Sequence, residues 1–231
     1  GISRMKQAGI NVITGILENE GAELNRRFFT FHRKRRPYIL LKFARTFDGF
    51  IAPELPDASR RQISGPLAGK LVHKWRSEEP AIMIGSNTAL HDDPQLTVRG
   101  WTGKDPLRII IDRKGKLPDY LRVFDHSVRT LVYTTAEKKS DAMLEFLTLQ
   151  DDERFIDEVM TDLHRRNIQS VMVEGGTRLL QLLFDKGLWD EARIFTAPRL
   201  MERGIPGPII HGKTISDESI GEDRLTVIRP N

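Results

Sequence analysis

Apolar residues in this chain follow two alternating patterns, one typical of buried strands and the other of amphipathic helices. Short, nearly continuous apolar runs predict strands at residues 38–44, 81–85, 107–112, 130–135, 170–174, 191–197 and 225–228. Stripes of helical period predict helices at residues 2–8, 18–30, 66–76, 151–166 and 177–186, and residues 10–14 form a brief β-type run. Because strands alternate with helices, the pattern predicts an α/β fold with a mainly parallel sheet.

Several stretches lie outside these patterns. Residues 85–99 place polar groups directly after an apolar strand and are predicted to form a loop, and residues 53–61 form a second polar loop. Residues 144–153 fit a helix and a loop equally well. The basic run 32–36 precedes a proline, which predicts a solvated linker at a domain joint.

The composition narrows the class of protein. The chain has 231 residues, of which 39% are hydrophobic and 29% charged, and no apolar run approaches the roughly 20 residues that cross a membrane. A net charge of +4 permits nucleic-acid binding without requiring it. The absence of cysteine excludes disulfides and thiolate zinc sites, and the histidines lack metal-ligand spacing, so no metal site is predicted. A cytoplasmic location is expected.

The segment 85–99 carries the densest group of candidate functional side chains. Thr88 can donate its hydroxyl to a phosphate or a ribose. Asp92 and Asp93 cannot both lie unpaired in an apolar crevice, so we expect Asp92 to face a ligand and Asp93 to bond its own backbone in an Asp-Pro turn. Arg99 presents a planar fork suited to a phosphate, and Arg76 could join it or could only stabilise a helix dipole.

Two other strand ends carry polar groups. Lys42 interrupts an apolar strand, which is costly unless its amine reaches a pocket or a carboxylate, and Asp48 is expected near the same opening. Glu174 follows another apolar run, at the strand end where open α/β sheets place ligands. The Gly-Gly-Thr turn 175–177 then allows a phosphate to approach the backbone at a helix start, although it is not the Gly-x-Gly-x-x-Gly fingerprint.

Together these segments resemble the reductase domain of the bifunctional riboflavin-biosynthesis deaminase/reductase (RibD type). The matching motifs are KxAxTxDGxIA from Lys42, Ile63-Ser64, GxxT from Gly85 with DDPxLTVR ending at Arg99, RIIID from Arg108 and VEGG from Val173. The resemblance covers residues 37 to about 228. It implies a dihydrofolate-reductase-like fold with three layers, α/β/α, and NADPH-dependent reduction of 5-amino-6-(5-phosphoribosylamino)uracil to its ribitylamino form.

The resemblance also implies roles for residues of this chain. The polar groups that it places nearest the reacting carbon, and therefore the catalytic candidates, are Lys42, Asp92 and Glu174. Substrate contacts are implied for Arg76, Leu96, Arg99 and Glu174, with the arginines near the phosphate. Cofactor contacts are implied for Arg45, Gln62, Thr88, Asp92, Gly175, Gly176, Thr177, Arg178 and Leu179.

Some of these positions depart from the family pattern. Gln62-Ile63-Ser64 stands where Trp-Ile-Thr is frequent, and Arg45 replaces a small or apolar residue. Thr177-Arg178 stands where Pro-Thr is frequent, so Arg178 could assist the 2′-phosphate of NADP or only decorate the helix.

Residues 1–32 resemble the closing helix and strand of the family's N-terminal deaminase domain. We therefore expect residues 1–36 to be a remnant of that domain plus a linker, and residues 37–231 to be the reductase domain. The zinc signature of the deaminase is missing from this chain, so no deaminase activity is expected of it alone. The resemblance further implies a homodimer.

Three alternatives stay open. A pterin reductase of the same fold would not need Arg76 and Arg99 together. The family's other reaction order, reduction before deamination, would change the substrate. A basic module could instead contact RNA through residues 32–36, with binding that weakens as salt rises.

Overall fold

The elements of the fold alternate as the apolar pattern predicts. The computed structural model describes residues 1–54 and 62–231. Its strands are β1 (Tyr38–Thr46), β2 (Phe50–Ala52), β3 (Ala81–Gly85), β4 (Leu107–Ile111), β5 (Thr130–Thr134), β6 (Leu144–Thr148), β7 (Ser170–Glu174), β8 (Glu191–Ala197), β9 (Ile205–Pro206), β10 (Lys213–Ile220) and β11 (Asp223–Arg229). Its helices are α1 (Ile2–Gln7), α2 (Glu18–Leu24), α3 (Arg26–Lys34), α4 (Pro66–Glu78), α5 (Ser86–Asp92), α6 (Phe155–Arg165) and α7 (Thr177–Asp185).

One large sheet organises the described residues. Its strand order is β10-β11-β8-β1-β7-β3-β4-β5-β6. All neighbours from β8 to β6 in this order run parallel, whereas β11 is antiparallel to both β8 and β10. Strand β2 pairs with β9 in a separate ribbon. The sheet is mainly parallel, as predicted, and β1, β7 and β3 lie side by side near its middle.

Helices cover both faces of this sheet because its central strands are apolar on both faces. Successive side chains of a strand point to opposite faces. Ile39 and Leu41 therefore pack in one core cluster with Leu180 of α7. Leu40, between them, packs in another cluster with Trp75 of α4. This is the three-layer α/β/α arrangement that the family resemblance implies.

The structure corrects several sequence-based predictions. The helix predicted over 18–30 is broken at Asn25, and Leu24, an apolar residue of its predicted helical stripe, is exposed. The β-type run 10–14 forms no strand, and the ambiguous stretch 144–153 begins with the edge strand β6. The predicted loop 85–99 begins with helix α5. Strand β10 escapes the apolar pattern because most of its side chains are exposed at the sheet edge.

The basic run 32–36 is solvated as predicted at residues 32–35, but residues 32–34 belong to helix α3 and Arg36 is buried. The guanidinium of Arg36 is buried and donates two hydrogen bonds to the Asp190 carboxylate, at 2.5 and 2.9 Å, and Lys34 donates to the same carboxylate at 2.9 Å. Asp190 is itself buried just before β8, where an unpaired carboxylate would be costly. Helix α3 is therefore attached to the sheet by ion pairs. The polar loop predicted at 53–61 falls mostly on residues 55–61, which lie outside the described residues.

Candidate active site

The candidate site lies at the carboxyl end of β7, beside the middle of β1. These strands are adjacent and parallel, and Lys42 is the register partner of Glu174. Lys42 shares its face of β1 with Leu40, the face on which α4 packs. Arg76 lies at the end of α4, so its side chain reaches the same place. Alternation along the strands therefore brings these three charged groups together.

The Glu174 carboxylate is the centre of this cluster. It accepts hydrogen bonds from Nε of Arg76 at 2.6 Å and from Nη2 at 3.0 Å. Nζ of Lys42 lies 3.7 Å from its Oε2 atom. The third guanidinium nitrogen of Arg76, Nη1, donates to the Thr97 carbonyl at 3.1 Å. Arg76 thus connects the carboxylate to the segment that leads to Arg99.

Burial and charge set the protonation states in this cluster. Burial alone would raise the pKa of Glu174, but Arg76 and Lys42 outweigh it and hold that pKa at about 2. Burial lowers the pKa of Lys42, with Arg76 adding to the effect and Glu174 opposing it. Glu174 is therefore ionised at neutral pH, whereas the ammonium of Lys42 releases its proton more readily than a free lysine does.

Arg99 lies on the exposed side of this cluster. Its guanidinium donates to the side-chain oxygens of Gln95, at 2.7 Å, and of Thr97, at 3.4 Å. Burial and the nearby charges of Arg76 and Arg122 lower the pKa of Arg99. The guanidinium is thus held by neutral oxygens beside other cations, an environment that favours an added anion.

A second group of candidate residues lies where β3 and β7 each lead into a helix. Gly85 and Gly175 both lie over the side chain of Leu179, which is buried. The Gly176 N–H donates to Oγ1 of Thr88 at 2.8 Å, which joins the two turns. Within the part of the chain that the structure describes, no side chain caps the N-terminus of α7. Its backbone N–H groups suit a phosphate.

The other residues of the predicted cofactor set lie around these turns or farther away. Oγ1 of Thr177 donates to the Pro206 carbonyl at 2.6 Å, and Arg178 is exposed. Nε of Arg45 donates to Oγ1 of Thr196 at 3.2 Å. Gln62 is exposed, and its carbonyl accepts from Arg199.

The acidic residues predicted nearby behave differently from one another. The prediction that Asp48 lies at the opening beside Lys42 finds no support, because its carboxylate accepts from the Thr46 hydroxyl and the Met201 and Glu202 N–H groups. The prediction that Asp93 bonds its own backbone is wrong, since its carboxylate accepts from the backbone N–H and Nε of Arg122. Asp92 is exposed at the end of α5.

Some features of the site are not evident from the amino-acid sequence alone. His73 lies one helical turn before Arg76, and its Nδ1 atom accepts the Arg99 N–H at 3.2 Å. Helical spacing from Arg76 could have indicated it. Leu96, predicted to contact substrate, is buried and has a positive φ of 57°. Across the described residues, no helix has the length and apolarity to cross a membrane.

Comparison with known proteins identifies the family. The model of the RibD C-terminal domain matches residues 37–214. The chain is 35% identical over 212 residues to riboflavin biosynthesis protein RibD of Aquifex aeolicus, covering 89% of this chain and 58% of that protein. It is 31% identical over 203 residues to the 2,5-diamino-6-ribosylamino-4(3H)-pyrimidinone 5′-phosphate reductase of Methanothermobacter thermautotrophicus, covering 84% of this chain and 92% of that protein.

Solved structures of other proteins share the fold of this chain. The diaminohydroxyphosphoribosylaminopyrimidine deaminase/5-amino-6-(5-phosphoribosylamino)uracil reductase of Thermotoga maritima matches with a TM-score of 0.88 and 32% identity, covering 100% of this chain and 67% of that chain. Dihydrofolate reductase of Enterococcus faecalis matches with a TM-score of 0.50 and 14% identity, covering 84% of this chain and 97% of that chain, which is a likeness of fold alone. The predicted dihydrofolate-reductase-like fold is confirmed. With most of its length matched by the family model, the chain belongs to the RibD C-terminal domain family.

Proposed function

We propose that this chain reduces 5-amino-6-(5-phosphoribosylamino)uracil to 5-amino-6-(5-phosphoribitylamino)uracil with NADPH. The observation that carries the proposal is the contact of Arg76 with both the Glu174 carboxylate and the Thr97 carbonyl. This contact joins a largely buried carboxylate, a largely buried lysine and an exposed arginine in one site. Relatives of this chain, one bacterial and one archaeal, bear the names of reductases of such ribosylamino phosphates.

The cationic side of the cluster suits the phosphate of this substrate. Arg99 is exposed, and its guanidinium donates to the neutral side-chain oxygens of Gln95 and Thr97. Binding a phosphate would therefore replace neutral partners with a charged one. Arg76 is paired with Glu174 and contributes a second positive charge to the site. We therefore assign direct phosphate binding to Arg99 and a supporting charge to Arg76.

The turns after β3 and β7 suit the cofactor. Gly175 and Gly176 lack a Cβ atom, and the α7 N-terminus that they open carries no side-chain cap among the described residues. Thr88 holds this turn through Gly176, and the exposed Arg178 adds a positive charge nearby. These residues fit the phosphates of NADPH, which when bound supplies the hydride of the reduction.

The protonation states of Glu174 and Lys42 indicate different roles for the two residues. Reduction at the sugar carbon needs a proton as well as a hydride. Because the Glu174 pKa is about 2, Glu174 is a carboxylate at neutral pH and acts as an acceptor that orients a substrate hydroxyl or amine. The ammonium of Lys42, whose pKa burial lowers, is the better proton donor. Asp92 remains a candidate on the cofactor side.

The relatives are named for two different substrates, and experiment can decide which of the two this chain reduces. One solved relative is named for the uracil, whereas the archaeal relative is named for the 2,5-diaminopyrimidinone. We propose the uracil because the sequence motifs resemble the bifunctional deaminase/reductase, the kind of enzyme for which the solved Thermotoga maritima relative is named. Steady-state kinetics with the uracil phosphate and the 2,5-diaminopyrimidinone phosphate, each with NADPH and with NADH, would test the choice. Faster turnover of the diaminopyrimidinone would overturn it.

An arginine substitution tests the phosphate assignment. R99A is expected to raise KM for the phosphorylated substrate by about tenfold, with a smaller change in kcat, because the lost contact is a charge-assisted hydrogen bond. R154A, which removes an exposed arginine that pairs with Asp152, is the matched control and should leave both constants unchanged. Unchanged constants in R99A would show that the phosphate binds elsewhere.

The alternatives are less well supported. A pterin lacks the phosphate that would use Arg99. The run 32–36 is a poor RNA surface because Lys34 and Arg36 are paired with Asp190. A homodimer and a cytoplasmic location stay predictions, the first testable by light scattering of the purified chain.

A further inference from the structure

His73 contacts the segment that carries Arg99, and nothing in the proposed chemistry uses it. It lies on α4 three residues before Arg76, so the two side chains share one face of the helix. Its ring is half-buried and faces residues 97–100. The histidine therefore lies between the helix that supplies one arginine of the site and the loop that supplies the other.

The contact is specific to an unprotonated nitrogen. The backbone N–H of Arg99 donates to Nδ1 of His73 at 3.2 Å. A ring nitrogen accepts a hydrogen bond only when it carries no proton, so this bond requires the neutral imidazole with its proton on Nε2. The loop is also held from its other side, because the Val98 N–H donates to Oδ1 of Asp105 at 2.6 Å.

The fit around the ring is close. A Cβ atom on Gly100 would lie 3.0 Å from Cδ2 of His73, so the backbone after Arg99 rests against the imidazole. A hydrogen bond and a tight packing contact on consecutive residues restrict the backbone at Arg99. Restricting the backbone lowers the entropic cost of holding the Arg99 guanidinium in one place.

The surrounding charges keep the ring neutral. Burial lowers the pKa of His73, and Arg76 on the same helix and Arg99 on the loop lower it further. Glu174 on β7 and the Thr97 carbonyl oppose this shift. Protonation would remove the acceptor of the Arg99 N–H and add a cation beside two arginines.

We propose that His73 is a positioning residue, whose neutral imidazole holds the Arg99 backbone so that the Arg99 guanidinium can bind the substrate phosphate. The inference rests on the proposed function only in naming that phosphate as the ligand of Arg99. His73 itself need not touch the substrate. Its protonation would release the loop and weaken phosphate binding.

Two variants separate the hydrogen bond from the packing. H73F keeps a ring of similar shape and removes the acceptor. H73N places an amide oxygen near the position of Nδ1 and cannot titrate between pH 5 and 8. We expect H73F to raise KM for the phosphorylated substrate by about five- to tenfold with little change in kcat, as loss of one hydrogen bond allows. H73N should restore most of the wild-type KM.

The pH profile distinguishes positioning from bulk packing. Because the pKa of His73 is below the usual histidine value of about 6.5, wild-type KM should rise only at pH values lower than that, where the ring protonates. H73N should lack this additional rise, although both proteins share any titration of the substrate phosphate itself. The dephosphorylated substrate should bind H73F and the wild type equally, since it has no group for Arg99.

Hydrogen exchange gives a readout that does not depend on turnover. The Arg99 amide should exchange slowly in the wild type and in H73N and about tenfold faster in H73F, in keeping with loss of its acceptor. If the wild type turns over normally while H73F keeps both the wild-type KM and the wild-type exchange rate of the Arg99 amide, the inference about His73 is wrong and the proposed function is unaffected. Absence of wild-type turnover would overturn the proposed function and, with it, the phosphate as the ligand, whereas the exchange data would still decide whether His73 holds the loop.

Discussion

Lys42 and Glu174 are register partners on adjacent parallel strands, and their charged atoms lie 3.7 Å apart while each is largely buried. The pair is completed by Arg76, which gives Glu174 the shorter and better aligned contacts. The Lys42 ammonium is therefore the less well compensated charge of the two cations.

Replacing Lys42 with methionine should stabilise the protein while removing its activity. Burial lowers the Lys42 pKa, so the folded state disfavours the charged amine, and an apolar side chain of similar length avoids that cost. We expect the free energy of unfolding at pH 7 to rise by no more than about 1 kcal/mol, because the cost of burying the ammonium is removed while Glu174 keeps Arg76 as its charged partner. Urea unfolding and NADPH oxidation measure the two effects. A destabilised but active K42M would contradict this view of the site.

The stabilising effect of Glu174 should depend on pH. Its pKa is lowered to about 2 from an ordinary value of 4.5, so its stabilisation is complete above pH 4.5 and declines as the pH falls towards 2. The linked free energy is of the order of 3 kcal/mol. E174Q should therefore be less stable than the wild type at pH 7, and the difference should shrink between pH 5 and pH 3. A difference that is constant with pH would show that Glu174 is not the ionised partner of Arg76.

Helix α3 should depend on Asp190 more than on any exposed ion pair. D190N leaves the guanidinium of Arg36 buried without a charged partner, which we expect to cost about 3 kcal/mol of unfolding free energy. K34A removes only the exposed partner of the same carboxylate and should cost less than about 1 kcal/mol. Urea unfolding of both variants measures this. Equal losses of unfolding free energy in D190N and K34A would show that the Arg36–Asp190 pair does not anchor the basic run 32–36.

Thr88 should affect cofactor binding and spare substrate binding. T88V keeps the shape of the side chain but removes the oxygen that accepts the Gly176 N–H at 2.8 Å, so the turn before α7 loosens. We expect KM for NADPH to rise about fivefold, as loss of one hydrogen bond would allow, while KM for the pyrimidine phosphate stays constant. T88S retains the oxygen and serves as the control. A rise in both Michaelis constants would place Thr88 in a general structural role.

Much of the fold could be predicted from local patterns. Strands β3, β7 and β8 have the predicted bounds because residues buried on both faces leave a continuous apolar run. Lys42 and Glu174 could be selected for a similar reason, since each is a charge beside such a run. Strand β10 and the break at Asn25 could not, because an exposed edge strand and an exposed helix junction carry little apolar signal.

The α/β layers, the family motifs and the strand ends where polar groups collect follow from the amino-acid sequence alone. The pairing of those groups is visible only in the folded chain: Arg76 with Glu174, 98 residues apart; Arg36 with Asp190, 154 residues apart; and the Arg99 backbone with His73. Apolar periodicity reflects how each segment buries its apolar side, whereas the pairing of distant charges depends on strand order and register. Those two properties form only when the whole sheet assembles.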